Sequence, residues 1–526
     1  MLTKNYRKII CVVTVGLYSS ISSCKKLVEI DRPENTVTQE VAYSSNALAT
    51  QAVVGLYSKL MSGDGTPNFA NGTTSLYAAL SADELLGYTG TGSPIDYQFS
   101  SGNIQSDNSI PEEQIWKIAY QLIYNCNAAV EQLSGPATPA LDAATRKQLT
   151  GEAKFLRAFS YFYLVNFFGD VPLVLTTDFN QTKLLARSPQ EQVYEQMVRD
   201  LSEAAQSLPD NYTFVSSKSD RVRANKWAAT ALLARVYLYR KDFGNALKES
   251  SSVIGNTQLF TLSADLSKVF DANNREAILQ WQQNKETPPI YNATWDGKNF
   301  LPVFSWKEIV GDNPADEALY LSDVNLYESI STLCLPNYYF TPELLSAFEN
   351  GDARLKAWAT YLPSPTIAPY TGASFYYPRK YRLSIFSPTD EPPQYYMVLR
   401  LAEQYLIRAE AKAQLGDLNG ALADLNIIRS RARAQATNAV PDPLPSLSAG
   451  LSQTNVLAAV AHERQTELFA EWGHRFFDLK RTGKANDVLG ALKGKQPWNA
   501  SKLLYPIPAR EISTNPNIVQ NPGYSF

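Results

Sequence analysis

Residues 463–481 read ERQTELFAEWGHRFFDLKR, and residues 504–524 read LYPIPAREISTNPNIVQNPGY. In the first run Phe469, Trp472 and Phe476 fall at i, i+3 and i+7, a spacing that predicts a helix with one apolar stripe. Glu463, Arg464, Glu467, Arg475 and Lys480 supply charge around it. The second run predicts no helix. Pro506, Pro508, Pro516 and Pro522 each remove a backbone donor and fix φ, so an extended, turn-punctuated strip laid over other structure is expected.

Working outward, residues 397–417, MVLRLAEQYLIRAEAKAQLGD, place Leu399, Ala402, Leu406, Ala409 and Ala413 on one helical face. GDLNGAL at 416–422 echoes KDFGNAL at 241–247, and in each case a small residue, Ala409 or Ala234, precedes the central Ala by 12 positions. With Leu233, Tyr237 and Ala246 in one unit and Tyr405, Ala421 and Leu425 in the other, both fit tetratricopeptide-like helix pairs. They lie too far apart for a simple tandem array, so an interrupted scaffold is expected. Further upstream, Phe155, Phe159, Phe162 and Val165 mark a helix that stops at Gly169 and Pro172. These are packing residues and none is assigned to a ligand.

The interruption spans residues 259–394. It is poor in helical periodicity and rich in Pro, Gly, Asn and aromatics, as in PPIYNATWDGKNFLPVFSW (288–306) and PSPTIAPYTGASFYYPRKY (363–381). Long ordered loops of this kind usually carry function. Within it, Asp352 and Arg354 are read as a local ion pair and no more.

Together these strings resemble the SusD/RagB family, surface lipoproteins that capture nutrients for TonB-dependent transporters in Bacteroidota. Residues 463–524 match the end of that family in position and wording, 397–433 its C-terminal block, and GEAKFLRAFSYFYLVNFFGDVPLV (151–174) a block of its N-terminal half. The resemblance implies an all-α fold, a TPR-like helical superhelix with a large irregular loop-rich insertion. The expected division is a lipoprotein signal peptide at 1–23, an N-terminal helical region at 24–258, the insertion at 259–394, and a C-terminal helical region with extended tail at 395–526.

The N-terminus agrees independently. Lys4, Arg7 and Lys8 precede an apolar run from Ile9 to Leu17, then Ile21, Ser22 and Ser23 lead to Cys24. The run is far shorter than the ~20 residues of a spanning helix, so it reads as a signal peptide. The placement of Cys24 resembles a lipobox, which makes it the expected lipid attachment point. Two or more acyl chains anchor stably where one is marginal.

Composition narrows the class. Formal net charge is −3, and loss of the three basic residues in 1–23 takes it to about −6. No Lys/Arg run offers a nucleic-acid footprint, so nucleic acid is not an expected partner. With only His462 and His474, and only Cys126 and Cys334 beyond Cys24, no metal-ligand spacing occurs and no cofactor is expected. The two thiols read as buried, although their pairing is not legible. Glu403, Glu410, Glu463 and Glu467 sit on helices beside Arg400, Arg408 and Arg464, an ordinary solvated or ion-paired arrangement that does not look like a glycosidase pair. No nucleophile elbow, Walker loop or dinucleotide fingerprint is present.

The aromatics are more informative: 30 Tyr, 22 Phe and 8 Trp exceed what a core of this length requires. Tyrosine joins a flat apolar face to a polar tip, which suits stacking on a sugar ring. Two loop segments are the candidate ligand surface. Residues 83–109 carry Asp83, Tyr88 and Tyr97, with Asp83-Glu84 resembling the family's acidic start of that loop; residues 291–306 carry Tyr291, Trp295 and Trp306 outside any helical stripe. Trp116, Trp227 and Trp472 follow helical patterns and are assigned to the core. The expectation is a cell-surface glycan-binding lipoprotein, not an enzyme, that binds oligosaccharide or polysaccharide. The resemblance alone implies its SusC-like TonB-dependent transporter partner. Peptide capture of the RagB kind and a hydrolase on a helical scaffold are the alternatives.

Overall fold

The computed structural model describes residues 39–525 apart from 63–64, 89–92, 136–140, 216–219, 287 and 389. The signal segment 1–23, Cys24 and the tether that follows lie outside the described residues.

The helices that build the scaffold are α1 (Asn46–Ser62), α2 (Lys117–Ser134), α3 (Ala143–Phe168), α4 (Gln190–Ser207), α5 (Lys226–Tyr239), α6 (Phe243–Gly255), α7 (Leu401–Gln414), α8 (Leu418–Ala432), α9 (Gln453–Leu468) and α10 (His474–Arg481). From α2 to α8 each packs on the next. The step from α6 to α7 is the informative one. Those helices touch although the whole of 259–394 lies between them, so the two tetratricopeptide-like hairpins are neighbours and the insertion is looped out.

The echo between the hairpins has a local cause. Lys241 (φ 60) and Gly416 (φ 89) both take the left-handed turn after the first helix. The next residue, Asp242 or Asp417, then caps the second helix by accepting from the backbone N–H of Asn245 or Gly420. α3 starts on Asp142, which accepts from Thr145 N–H, and ends at Gly169 with φ 76. Its Phe155, Phe159 and Phe162 are fully enclosed, each stabilising the fold by roughly 1.5–3 kcal/mol.

Three antiparallel pairs complete the architecture. β1 (Leu85–Gly87) pairs with β3 (Tyr338–Phe340), β2 (Ala277–Trp281) with β6 (Tyr396–Arg400), and β4 (Ala359–Leu362) with β5 (Phe375–Pro378). β1–β3 and β2–β6 join segments far apart in sequence and fasten the insertion to its surroundings, whereas β4–β5 is a local hairpin within it.

Three expectations need correction. Residues 463–481 do not form one helix: the chain breaks between α9 and α10, where Ala470 (φ 50), Trp472 (φ 51) and Gly473 (φ 72) turn it. Phe469, Trp472 and Phe476 are nonetheless all buried, because the turn aims them into the same core. The tail is not wholly extended, since Ala509–Thr514 forms one and a half helical turns between Pro508 and Pro516. A proline at the mouth of a helix loses no intrahelical bond, which the proline count alone concealed. Residues 259–394 are also more ordered than bare loop. Short helices start at Trp295, Trp306, Pro314, Val324, Pro342 and Ala353, capped by Thr294, Ser305, Asn313, Asp323, Thr341 and Asp352. Four of the six are only five or six residues long, too short to show periodicity, but the cap residues are readable in the sequence.

Of the two arrangements expected for the charged groups of the C-terminal block, solvated or ion-paired, the structure shows the ion-paired one, and it is buried. Arg354 donates to Asp352, Glu463 and Glu467; Arg400 to Glu276, Glu467 and Glu471; Arg431 to Glu276 and Glu467. The Asp352–Arg354 pair is thus part of a buried network joining the insertion to α9, not a local contact. Cys126 and Cys334 are buried thiols, unpaired.

Candidate functional site

The β1–β3 pair brings two half-exposed tyrosines together. Tyr88 follows β1 and its N–H donates to Asn337 O at 2.9 Å, which seats it beside Tyr339 of β3. β5 packs on β3 and adds Phe375. The three rings meet edge to face, with centroids 6.2 Å apart for Tyr88 and Tyr339, 5.3 Å for Tyr88 and Phe375, and 5.2 Å for Tyr339 and Phe375. Mutual edge-to-face contact fixes ring orientation without a ligand. On the neighbouring β4–β5 pair, half-exposed Tyr361 and Tyr376 lie 5.0 Å apart.

Beneath this aromatic shelf is a small separate core of Trp306, Val310, Tyr327, Cys334 and Leu362, against which Phe375 and Tyr370 pack. Tyr327 is buried, donates to Pro363 O at 3.0 Å, and stands 5.0 Å from half-exposed Tyr370. Tyr370 in turn donates to Glu328 at 3.0 Å. Burial raises the phenols of Tyr88, Tyr339 and Tyr370, and the nearby Tyr88 raises the other two further, so all stay neutral hydroxyls that can donate and accept. Flat apolar faces ringed by neutral hydroxyls can hold a polyhydroxylated ring by stacking and hydrogen bonding.

The six sequence candidates separate. Tyr88 is in the shelf. Tyr97 is 69 % exposed on the short helix Pro94–Ser100, which is pinned because Asp96 accepts from Tyr77 and Tyr338 at 3.1 and 2.8 Å. Tyr291 is 39 % exposed, with φ 47. The other three are corrected. Trp295 is only 2 % exposed at the start of Trp295–Phe300, with Lys298 Nζ 4.4 Å from its ring centre and Gly72 packed so close that a Cβ there would lie 2.6 Å from that of Trp295. Trp306 is buried under the shelf and supports it from below. Asp83 is buried and held by Arg475 at 2.7 and 2.8 Å, so it fixes the loop instead of facing solvent. Loop membership misled because the loops are capped and folded back on the core. Tyr339, Phe375, Tyr361, Tyr370 and Tyr376 were missed. Their signal was the strand-like PNYYF (336–340) and FYYP (375–378), but which strands pair is not visible in a single sequence.

The two carboxylates that burial raises furthest lie inside the protein and not on this surface. Burial pushes Glu84 and Asp296 up to about 8, yet both are enclosed, Asp296 accepting from the Tyr396 hydroxyl at 3.2 Å. Glu467 and Glu471 are occupied by Arg400 and its neighbours. Among the described residues no cluster of three His, Cys, Asp or Glu side chains is placed to hold a metal, and no helix is long and apolar enough to cross a membrane.

Two family models match the chain, that of the SusD family over residues 346–524 and one described as starch-binding associating with outer membrane over residues 34–238. SusD-like protein P2 of Formosa agariphila is 26 % identical over 540 residues, covering 98 % of this chain and 99 % of its own. The starch-binding protein SusD of Bacteroides thetaiotaomicron is 25 % identical over 446 residues, 73 % of this chain and 74 % of that one. Among solved structures, a laminarin-binding SusD-like protein superposes with a TM-score of 0.69 at 27 % identity, over 92 % of this chain and 100 % of that one. A SusD superfamily protein from Bacteroides vulgatus, at 20 % identity and a TM-score of 0.70 over 92 % of this chain and 100 % of its own, shares the fold.

Proposed function

The chain belongs to the SusD family, and we propose on that premise that it is a glycan-binding protein of the outer membrane. It captures oligosaccharide or polysaccharide at the cell surface and leaves it intact. The observation that carries this reading is the shelf of Tyr88, Tyr339 and Phe375, three mutually braced rings with half-exposed faces and neutral hydroxyls around them. The starch and laminarin named for two of its relatives support a carbohydrate as the ligand. Tyr97 and Tyr291, also exposed, are candidate peripheral contacts. Aromatic stacking gives affinity with little ordering cost, because the rings are already held.

A binding role without turnover is favoured by the carboxylates. Those of α7 and α9 are consumed in buried ion pairs, whereas glycoside cleavage needs two of them facing a cleft on opposite sides of a sugar. Cys24 carries the lipid that tethers the protein, and a SusC-like TonB-dependent transporter receives the cargo. Both are supported by family membership, and the first also by the sequence of residues 1–24.

Screening the purified mature chain against polysaccharides and peptide mixtures tests the proposal. Binding of a glycan without release of new reducing ends is the expected result. Binding of peptides alone, or turnover abolished by mutating a single carboxylate, overturns it.

A further inference from the structure

A second surface shares no lining residue with the aromatic shelf. α1, α2, the segment that follows Pro172 and the C-terminal helix Ala509–Thr514 enclose an open groove of about 850 Å³. Its floor is apolar, with Trp116 and Tyr120 rings 4.9 Å apart. Two rings stand in solvent along it: Phe179 is 70 % exposed and Tyr124 48 %.

Phe179 is displayed on a fixed support. Upstream, Glu131 of α2 accepts from the Thr176 hydroxyl at 2.7 Å and from Thr177 N–H at 2.9 Å. Asp178 then caps the turn that Phe179 begins, accepting from Asn180 N–H at 2.9 Å. Downstream, Asn515 and Asn517 of the tail donate to the carbonyls of Leu185 and Leu184 at 2.9 and 2.8 Å. A segment clamped at both ends that still presents a phenyl ring to water is the construction expected of a binding platform.

The groove also departs from the rest of the chain in charge. The protein is net acidic at −3, yet Lys59, Lys117, Lys183 and Arg510 line the groove against Glu112 and Glu511. Lys117 is paired with Glu113 at 2.6 Å, while Lys183 donates to the uncharged Asn180 side chain at 3.3 Å, lies 5.6 Å from the Phe179 ring centre and has the Asp178 carboxylate as its charged neighbour. Lys59, Lys183 and Arg510 are all exposed. Burial, with the charge of Glu112 beside it, raises the Glu511 carboxyl. Cations beside exposed rings in a concave site attract an anion that also carries flat apolar faces.

We propose that this groove is a second glycan site selective for anionic oligosaccharides, with sugar rings against Phe179 and Tyr124 and carboxylate or sulfate groups on Lys59, Lys183 and Arg510. It rests on the glycan-binding reading above but on different residues, so the two fail separately.

The test is calorimetric titration of the purified mature chain with three hexasaccharides: an oligogalacturonate, a sulfated carrageenan fragment and neutral laminarihexaose. At least one anionic probe binds, and its Kd rises about tenfold between about 50 and 300 mM NaCl. Phe179→Ala and Lys183→Gln each weaken that probe by about tenfold, whereas Tyr88→Ala leaves it unchanged. Which anionic probe responds separates carboxylate from sulfate recognition. All three side chains are at or near the surface, so unchanged melting temperatures are expected, and Lys59→Gln is the replacement should one variant misfold. The proposal falls if neither anionic probe binds a chain that still binds neutral glycan, if binding survives in folded Phe179→Ala and Lys183→Gln, or if Tyr88→Ala alone removes it. Loss of all glycan binding, neutral and anionic, overturns the general reading as well.

Discussion

Arg400 at the end of β6 and Glu467 near the end of α9 are joined at 2.6 Å, Nη1 to Oε1, across 67 residues of sequence. Glu467 also accepts from Arg354 and Arg431, so a single carboxylate ties the insertion, the strand entering α7 and the end of α8 together. Removing it leaves three guanidinium groups short of a partner in a buried site. Glu467→Ala is therefore expected to cost about 3–5 kcal/mol, measured by denaturant unfolding. A loss below about 1 kcal/mol would show that the network is not cooperative.

The same residue sets a pH dependence. Burial opposes its charge, but Arg431, Arg400 and Arg354 overcome this and hold the carboxyl well below the usual 4.5. A depressed folded pKa gives stability that is present above about pH 4.5 and lost as pH falls through the folded value. The melting temperature of the parent should drop more steeply on acidification than that of Glu467→Gln.

Glu84 is expected to behave in the opposite sense. Burial and the adjacent Asp83 raise its carboxyl to about 8. A raised folded pKa gives stability that is complete below about pH 4.5 and lost as pH rises through 8. Glu84→Gln should melt close to the parent at pH 5 and above it at pH 9, by up to a few kcal/mol. An equal offset at both pH values would mean that Glu84 does not titrate in this window.

The shelf predicts a split between binding and folding. Tyr88→Ala, Tyr339→Ala and Phe375→Ala should each weaken glycan binding by about 1–3 kcal/mol while the protein stays folded, since these rings are half exposed. Trp295→Ala should do the reverse. Its indole is buried, so the cavity left should cost about 3–5 kcal/mol of stability and leave the affinity of folded protein unchanged. Equal effects from Trp295 and Tyr339 would place the ligand elsewhere.

At the N-terminus, Cys24→Ser should abolish incorporation of labelled palmitate and move the protein to the soluble fraction. Continued labelling in the variant would rule out Cys24 as the acceptor.

The helical hairpins were legible because their determinants are local: a left-handed turn residue, an aspartate cap and small residues at helical spacing all lie within one short stretch. The aromatic excess likewise showed which residue types the chain has to offer a flat ligand. What the sequence alone determined was thus the helix pairs and the residue types available for binding. The tertiary structure decided which of those residues face water. Tyr88 and Trp295 sit in similar loop sequence, but strand pairing lifts Tyr88 beside Tyr339 whereas Gly72 and Lys298 close over Trp295. In the same way Glu467 reads as a solvated or ion-paired helix charge, and only Arg354 and Arg400, arriving from other parts of the chain, decide that it is paired and buried. Burial and pairing are set by contacts distant in sequence, and those are fixed only when the looped-out insertion packs back on the helices that flank it.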